Sequence, residues 1–168
     1  ILSENGKALV ISAANVFYHV EDLHSIVKGI KHLLDSNGVF VVQASYLPNL
    51  IEKNAFDIMY HEHLLYYRLE NLNYLFNLYD MEVFDYEMAS VHGGSIIAYV
   101  GHKNSRKVDS NVKELIKDEQ KKNFNNIKIY KEFDNNIKKL SKKLNDLISN
   151  INDQGEKIYC YGAPAKGT

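Results

Sequence analysis

Between Ala8 and Val42, a short apolar run, an amphipathic stretch of about three turns, a glycine and a second apolar run follow one another. No other pattern in the chain restricts the fold as much. Ala8-Leu9-Val10-Ile11-Ser12-Ala13 has the composition of a strand buried on both faces. Asp22 is placed to cap a helix starting at Leu23, in which Leu23, Ile26, Val27, Ile30, Leu33 and Leu34 recur at helical spacing. Asn37-Gly38 is expected to end that helix, and Val39-Phe40-Val41-Val42 to form a second buried strand. Two strands joined through a helix lie parallel, with a right-handed crossover. Ligands of such sheets bind beyond the carboxyl ends of the strands. Those ends are Ala14-Asn15 and Ala44-Ser45-Tyr46.

Further on, Leu72, Leu75, Phe76 and Tyr79 share one face of a helix expected over 69–79. Glu82–Tyr86 and Ser95–Val100 are strand-like, and the Gly-Gly segment between them predicts an antiparallel hairpin with a longer loop. Tyr130, Phe133, Ile137, Leu140, Leu144, Leu147 and Ile151 keep three-to-four spacing, the signature of an amphipathic helix with a solvated, charged outer face. Gly155 is expected to close it, and Lys157 to Gly162 to open a new strand and turn. The fold class read from this order is α/β.

Of the 168 residues, 45% are apolar and 24% charged, which suits a globular chain with a core. Net charge is −1, favouring neither nucleic acid nor an acidic membrane surface as partner. Its distribution is uneven: residues 1–102 hold 5 Lys/Arg against 12 Asp/Glu, and residues 103–168 hold 15 against 9. That change of sign suggests a boundary near residue 102. Cys160 stands alone, so no internal disulfide forms, in keeping with a reducing, cytoplasmic compartment. No apolar run approaches the roughly 18 residues of a membrane helix. Ile1 is no initiator Met, and Lys166-Gly167-Thr168 directly follow the expected strand and turn; a piece of a longer protein is expected.

Tyr60-His61-Glu62-His63 is the densest run of proton-moving side chains. Extended, it would put Tyr60 and Glu62 on one side and His61 and His63 on the other. An imidazole facing substrate, oriented by a phenol or carboxylate, is one reading; a His-x-His metal site is another. Asn15 and His19 follow the first strand, His92-Gly93-Gly94-Ser95 offers backbone N–H groups, and Tyr161 to Thr168 combines small residues with Lys166, suited to a phosphate.

Taken together, Ala14-Asn15-Val16-Phe17-Tyr18-His19-Val20, Tyr60-His61-Glu62-His63, His92-Gly93-Gly94-Ser95 and Tyr161-Gly162-Ala163-Pro164-Ala165-Lys166-Gly167-Thr168 resemble the S-adenosylmethionine (SAM)-dependent C-methyltransferases of nucleotide-linked keto-deoxysugars. The resemblance implies the C-terminal half of a class I (Rossmann-like) methyltransferase domain in residues 1–102. Residues 103–168 become a helical connector and the start of a second, sugar-nucleotide-binding α/β lobe. It implies catalytic roles for His63 as base, for Tyr60 and Glu62 beside it, and for His19. Ala14 and Asn15 are expected at the SAM cofactor; His61, His92, Gly93, Gly94 and Lys166 at the nucleotide-linked sugar substrate. Such enzymes carry zinc in an N-terminal lobe; neither its cysteines nor the glycine-rich SAM loop occurs in this sequence, so this piece alone is expected to bind SAM poorly and to be inactive. Should His63 not be the base, His61 and then His19 come next. Two other readings stay open: a metal-dependent hydrolase using His61 and His63, and a non-catalytic sugar-nucleotide-binding fragment.

Overall fold

A computed structural model describes residues 2–162, apart from the side chain of His92. The chain runs α1 (Leu2–Asn5), β1 (Ala8–Ala14), α2 (Leu23–Leu33), β2 (Leu34–Ser45), α3 (Leu47–Glu52), α4 (Leu69–Asn77), β3 (Met81–Ala89), β4 (Ser95–His102), α5 (Ser110–Lys122) and α6 (Ile127–Asp153). The strands form one sheet in the order β1-β2-β4-β3. β1 and β2 pair parallel, and β4 pairs antiparallel with both β2 and β3. The strand–helix–strand pattern and the antiparallel pairing of 82–86 with 95–100 are therefore both present.

Asp22 accepts from Ser25 N at 2.9 Å and caps α2, as its position suggested. The helix stops sooner than expected. Leu33 is its last residue, and β2 starts at Leu34, ahead of Asn37-Gly38. Leu34 is fully buried, so the chain turns where that side chain enters the core. The Asp35 carboxylate then accepts from Asn37 N at 2.9 Å, and the β1–β2 register shifts across this stretch. Gly38 lies inside the strand: a Cβ there would stand 2.8 Å from the Leu34 side chain and 2.9 Å from Ala8 O.

β1 is not buried on both faces. It lies at the sheet edge, and Leu9 and Val10 are 67% and 66% exposed. β2 is interior to the sheet and alternates instead, with Phe40, Val42 and Ala44 fully buried. Phe17, Phe40 and Phe76 meet at its centre, with ring centroids 5.8–6.1 Å apart. α4 buries Leu69, Leu72, Leu75 and Phe76 there, each contributing about 1.5–3 kcal/mol.

Two helices had no clear sequence signature. α3 begins with Pro48 in its first turn, and α5 packs on α4 and β3, with Val112 in the core. α6 is an unbroken helix of 27 residues with no fully buried side chain; Leu140, Leu144 and Leu147 are more than half exposed. Gly155 follows it at φ 76°, ending the helix as expected. Residues 156–162 form no strand, since among the described residues no neighbour pairs with them. Residues 163–168, and with them Lys166, lie outside the described residues.

Candidate active site

The first strand ends in Ala14, and Asn15 follows at φ 55°, donating its N–H to Gln43 O at 3.1 Å. This left-handed step turns the chain across the carboxyl end of β1 into a 3-10 turn at Phe17–His19. Phe17 is drawn into the core, Tyr18 is buried and His19 stays exposed. Asn15 Oδ1 is buried and has no hydrogen-bond partner among the described residues.

Tyr60 to His63 is a turn and not an extended segment, because His63 N donates to Tyr60 O at 3.0 Å. The expected two-sided arrangement is therefore overturned. Tyr60 and His63 come together, their rings 4.2 Å apart, while His61 and Glu62 point outward and are exposed. The turn is fastened to the first loop twice. Leu64 N donates to Tyr18 O at 3.0 Å, and His19 Nδ1 lies 2.6 Å from Glu62 O. A carbonyl only accepts, so His19 donates from Nδ1, and its neutral form keeps the lone pair on Nε2.

His63 is thereby surrounded by rings: Tyr18 at 4.2 Å, Tyr60 at 4.2 Å, His19 at 5.2 Å and Tyr66 at 6.2 Å. Tyr66 donates to Ile58 O at 3.3 Å, which fixes its ring. Burial, reinforced by Tyr60, pushes the Tyr18 phenol above its ordinary value. Burial likewise raises Tyr66. Both phenols keep their protons near neutral pH and act as hydrogen-bond donors. The cluster pairs an imidazole that can take a proton with phenols that can donate to a developing negative charge.

The structure thus brings His63, Tyr60 and His19 together, and adds Tyr18 and Tyr66. Both tyrosines adjoin motif residues in sequence, but only the folded loops show that they face His63. Glu62 reaches the cluster through its carbonyl, its carboxylate being turned outward. His19 adjoins His63, with rings 5.2 Å apart, whereas His61 is exposed and its ring lies 6.3 Å from that of Tyr60. Because the segment is a turn, His61 and His63 do not share a strand face, and among the described residues no group of three His, Cys, Asp or Glu could hold a metal ion.

Gly93 and Gly94 have φ of 78° and 129° in the β3–β4 turn. Gly94 N donates to Val91 O, Gly94 O accepts from Tyr46 N, and Lys53 Nζ donates to Gly93 O. The N–H of Gly94 is therefore engaged within the turn. The side chain of His92 lies outside the described residues.

The α/β sheet thus holds the ring cluster beyond the carboxyl end of its parallel strand pair, where sheets of this kind bind ligands. Two comparisons narrow the class. Residues 90–168 match the family model of the C-methyltransferase C-terminal domain. Over 169 aligned residues the chain is 30% identical to the C-methyltransferase NovU of Streptomyces niveus, an alignment taking in 100% of this chain and 40% of that protein. Over its whole length the chain is thus similar to a C-methyltransferase. It spans about two-fifths of the length of that relative.

Proposed function

We propose that the protein containing this chain transfers a methyl group from SAM to a carbon of a nucleotide-linked keto-sugar. In this reading, residues 1–102 are the C-terminal part of a class I methyltransferase domain. Residues 103–168 lead to a sugar-nucleotide lobe, with α5 folded back on α4 and β3. The ring cluster around His63 carries the reading.

SAM is the donor that a methyltransferase implies, and Asn15 fits a place beside it. Its buried Oδ1 accepts no hydrogen bond from the described residues, so an ammonium or hydroxyl group of a ligand suits it. Bound there, SAM supplies an electrophilic sulfonium methyl. The chain's own residues do the rest. His63 takes the proton from the carbon beside the ketone, leaving the electron pair as an enolate. The Tyr18 and Tyr60 phenols donate to the enolate oxygen, lowering the barrier, while Tyr66, whose O–H is given to Ile58 O, walls the site. His19, held through Nδ1 by Glu62 O, offers Nε2 as an acceptor for a sugar hydroxyl.

The test uses the whole protein with substrate deuterated at the methylated carbon. Wild type is expected to lose the label to solvent. His63→Ala is expected to lose it slowly and to turn over at least roughly a hundredfold more slowly, with SAM affinity nearly unchanged. Normal exchange by His63→Ala without methylation would remove His63 as base and make His19 the next candidate.

A further inference from the structure

Three consecutive residues of the first loop are tied to the segment that carries His63. Phe17 O accepts from the Tyr67 hydroxyl at 3.1 Å, Tyr18 O accepts from Leu64 N at 3.0 Å, and His19 donates from Nδ1 to Glu62 O at 2.6 Å. Residue numbers rise along one segment as they fall along the other, so the three ties together fix the spacing between the loops. One tie is backbone to backbone, and one is made by a residue of the proposed site. The third comes from Tyr67, whose ring is packed in the core beside Phe17, with centroids 5.7 Å apart.

Tyr67 is anchored to the sheet through its backbone. Leu47 N donates to Tyr67 O at 2.9 Å and Tyr67 N to Ser45 O at 3.4 Å, in a parallel bridge with Tyr46 just past the end of β2. Its hydroxyl therefore carries the position of the sheet to the Phe17 carbonyl, one residue before Tyr18 and two before His19. Neighbouring Tyr66 instead faces His63 and gives its hydroxyl to Ile58 O. Burial pushes the Tyr67 phenol well above its ordinary value, so it remains a donor throughout the neutral range. Phe17 is itself buried, and a buried carbonyl deprived of its donor is unfavourable. Without the hydroxyl, the turn that bears Tyr18 and His19 shifts to satisfy that carbonyl elsewhere.

We propose that Tyr67 is a positioning residue, its hydroxyl holding the Tyr18 and His19 rings at 4.2 and 5.2 Å from that of His63. Its bearing on catalysis rests on the methyl-transfer reading above; its hold on the loop does not.

The test is Tyr67→Phe in the whole protein, a change that keeps the ring and the backbone anchors and removes the hydroxyl alone. Nitrogen NMR of protein labelled at histidine reads the loop directly. Neutral His19 of wild type should show the Nδ1–H tautomer alone, as its bond to Glu62 O requires. In Tyr67→Phe that bond loosens, and the His19 signal should move toward a mixture of tautomers. Turnover should fall at least roughly tenfold, with substrate KM and SAM affinity within about twofold of wild type. A merely structural role predicts fewer SAM-binding molecules, with the His19 tautomer of the folded fraction unchanged. An unchanged tautomer therefore overturns the proposal, as does a shifted tautomer with normal turnover. If wild type transfers no methyl group, the proposed reaction falls, while a tautomer shift in Tyr67→Phe still upholds the hold of Tyr67 on the loop.

Discussion

Gly94 holds φ at 129°, and a Cβ built on it would stand 2.9 Å from the Asn49 Cβ and closer still to the Asn49 amide. Its carbonyl receives Tyr46 N–H at 3.1 Å, so the backbone at this point joins the β3–β4 turn to the end of β2. A side chain here meets both backbone strain and a neighbour that is itself packed. Gly94→Ala is expected to cost about 2–3 kcal/mol, lowering Tm by roughly 4–12 °C, as differential scanning fluorimetry would show. A shift within a degree of wild type would mean that Asn49 yields freely. The same logic explains why motif residues differ in what they do. His63 is enclosed by rings, while His61, two residues earlier, is exposed. A tight turn, and not the alternation of a strand, decides between them.

Among the elements, α4 and α6 both carry clear apolar stripes, but they meet different surroundings. α4 is only nine residues long, and its stripe lies on the sheet, with Leu72 fully buried. α6 spans 27 residues and its Leu144 is 54% exposed. Leu72→Ala should therefore destabilise the chain by about 2–5 kcal/mol. Leu144→Ala should change its stability by less than about 0.5 kcal/mol. Urea unfolding of the two variants reads both; a large loss for Leu144→Ala would show that its face is covered in solution. α5 is the opposite case. Its sequence is dominated by Lys, Asp and Glu, and its chief anchor is an acid.

At the scale of the whole molecule, that acid joins three parts of the chain. Glu119 on α5 is 1% exposed and accepts from Tyr46 OH at 2.8 Å, Leu69 N at 2.9 Å and Glu70 N at 2.8 Å. It thereby caps the start of α4 from another helix, where Arg68 offers no side-chain cap. Burial raises its carboxyl above the ordinary 4.5, although the backbone N–H of Glu70, the Tyr46 hydroxyl, the N–H of Leu69 and the charge of Arg68 pull it back. The folded chain therefore holds this proton more tightly than the unfolded chain. Its favourable contribution is complete below 4.5 and is lost as pH rises through the raised value. Wild-type stability minus that of Glu119→Gln should accordingly fall with rising pH in urea titrations. A flat or rising difference would show that the three donors outweigh burial.

The sequence by itself determined the parallel β1–β2 pair, the β3–β4 hairpin, the α4 and α6 helices and the residues from which the candidate site is drawn. Each is written in local spacing, period 3.6 or 2, or in side chains whose chemistry is poorly suited to a core. Only the tertiary structure decided that β1 is an edge strand, that α2 stops at Leu33, and that α5 docks through a buried Glu119. It also decided that Tyr18 and Tyr66, more than Glu62, surround His63. These outcomes depend on contacts between residues distant in sequence, 50 positions for Leu69 with Glu119 and 43 for His19 with Glu62, and no local periodicity encodes such pairings.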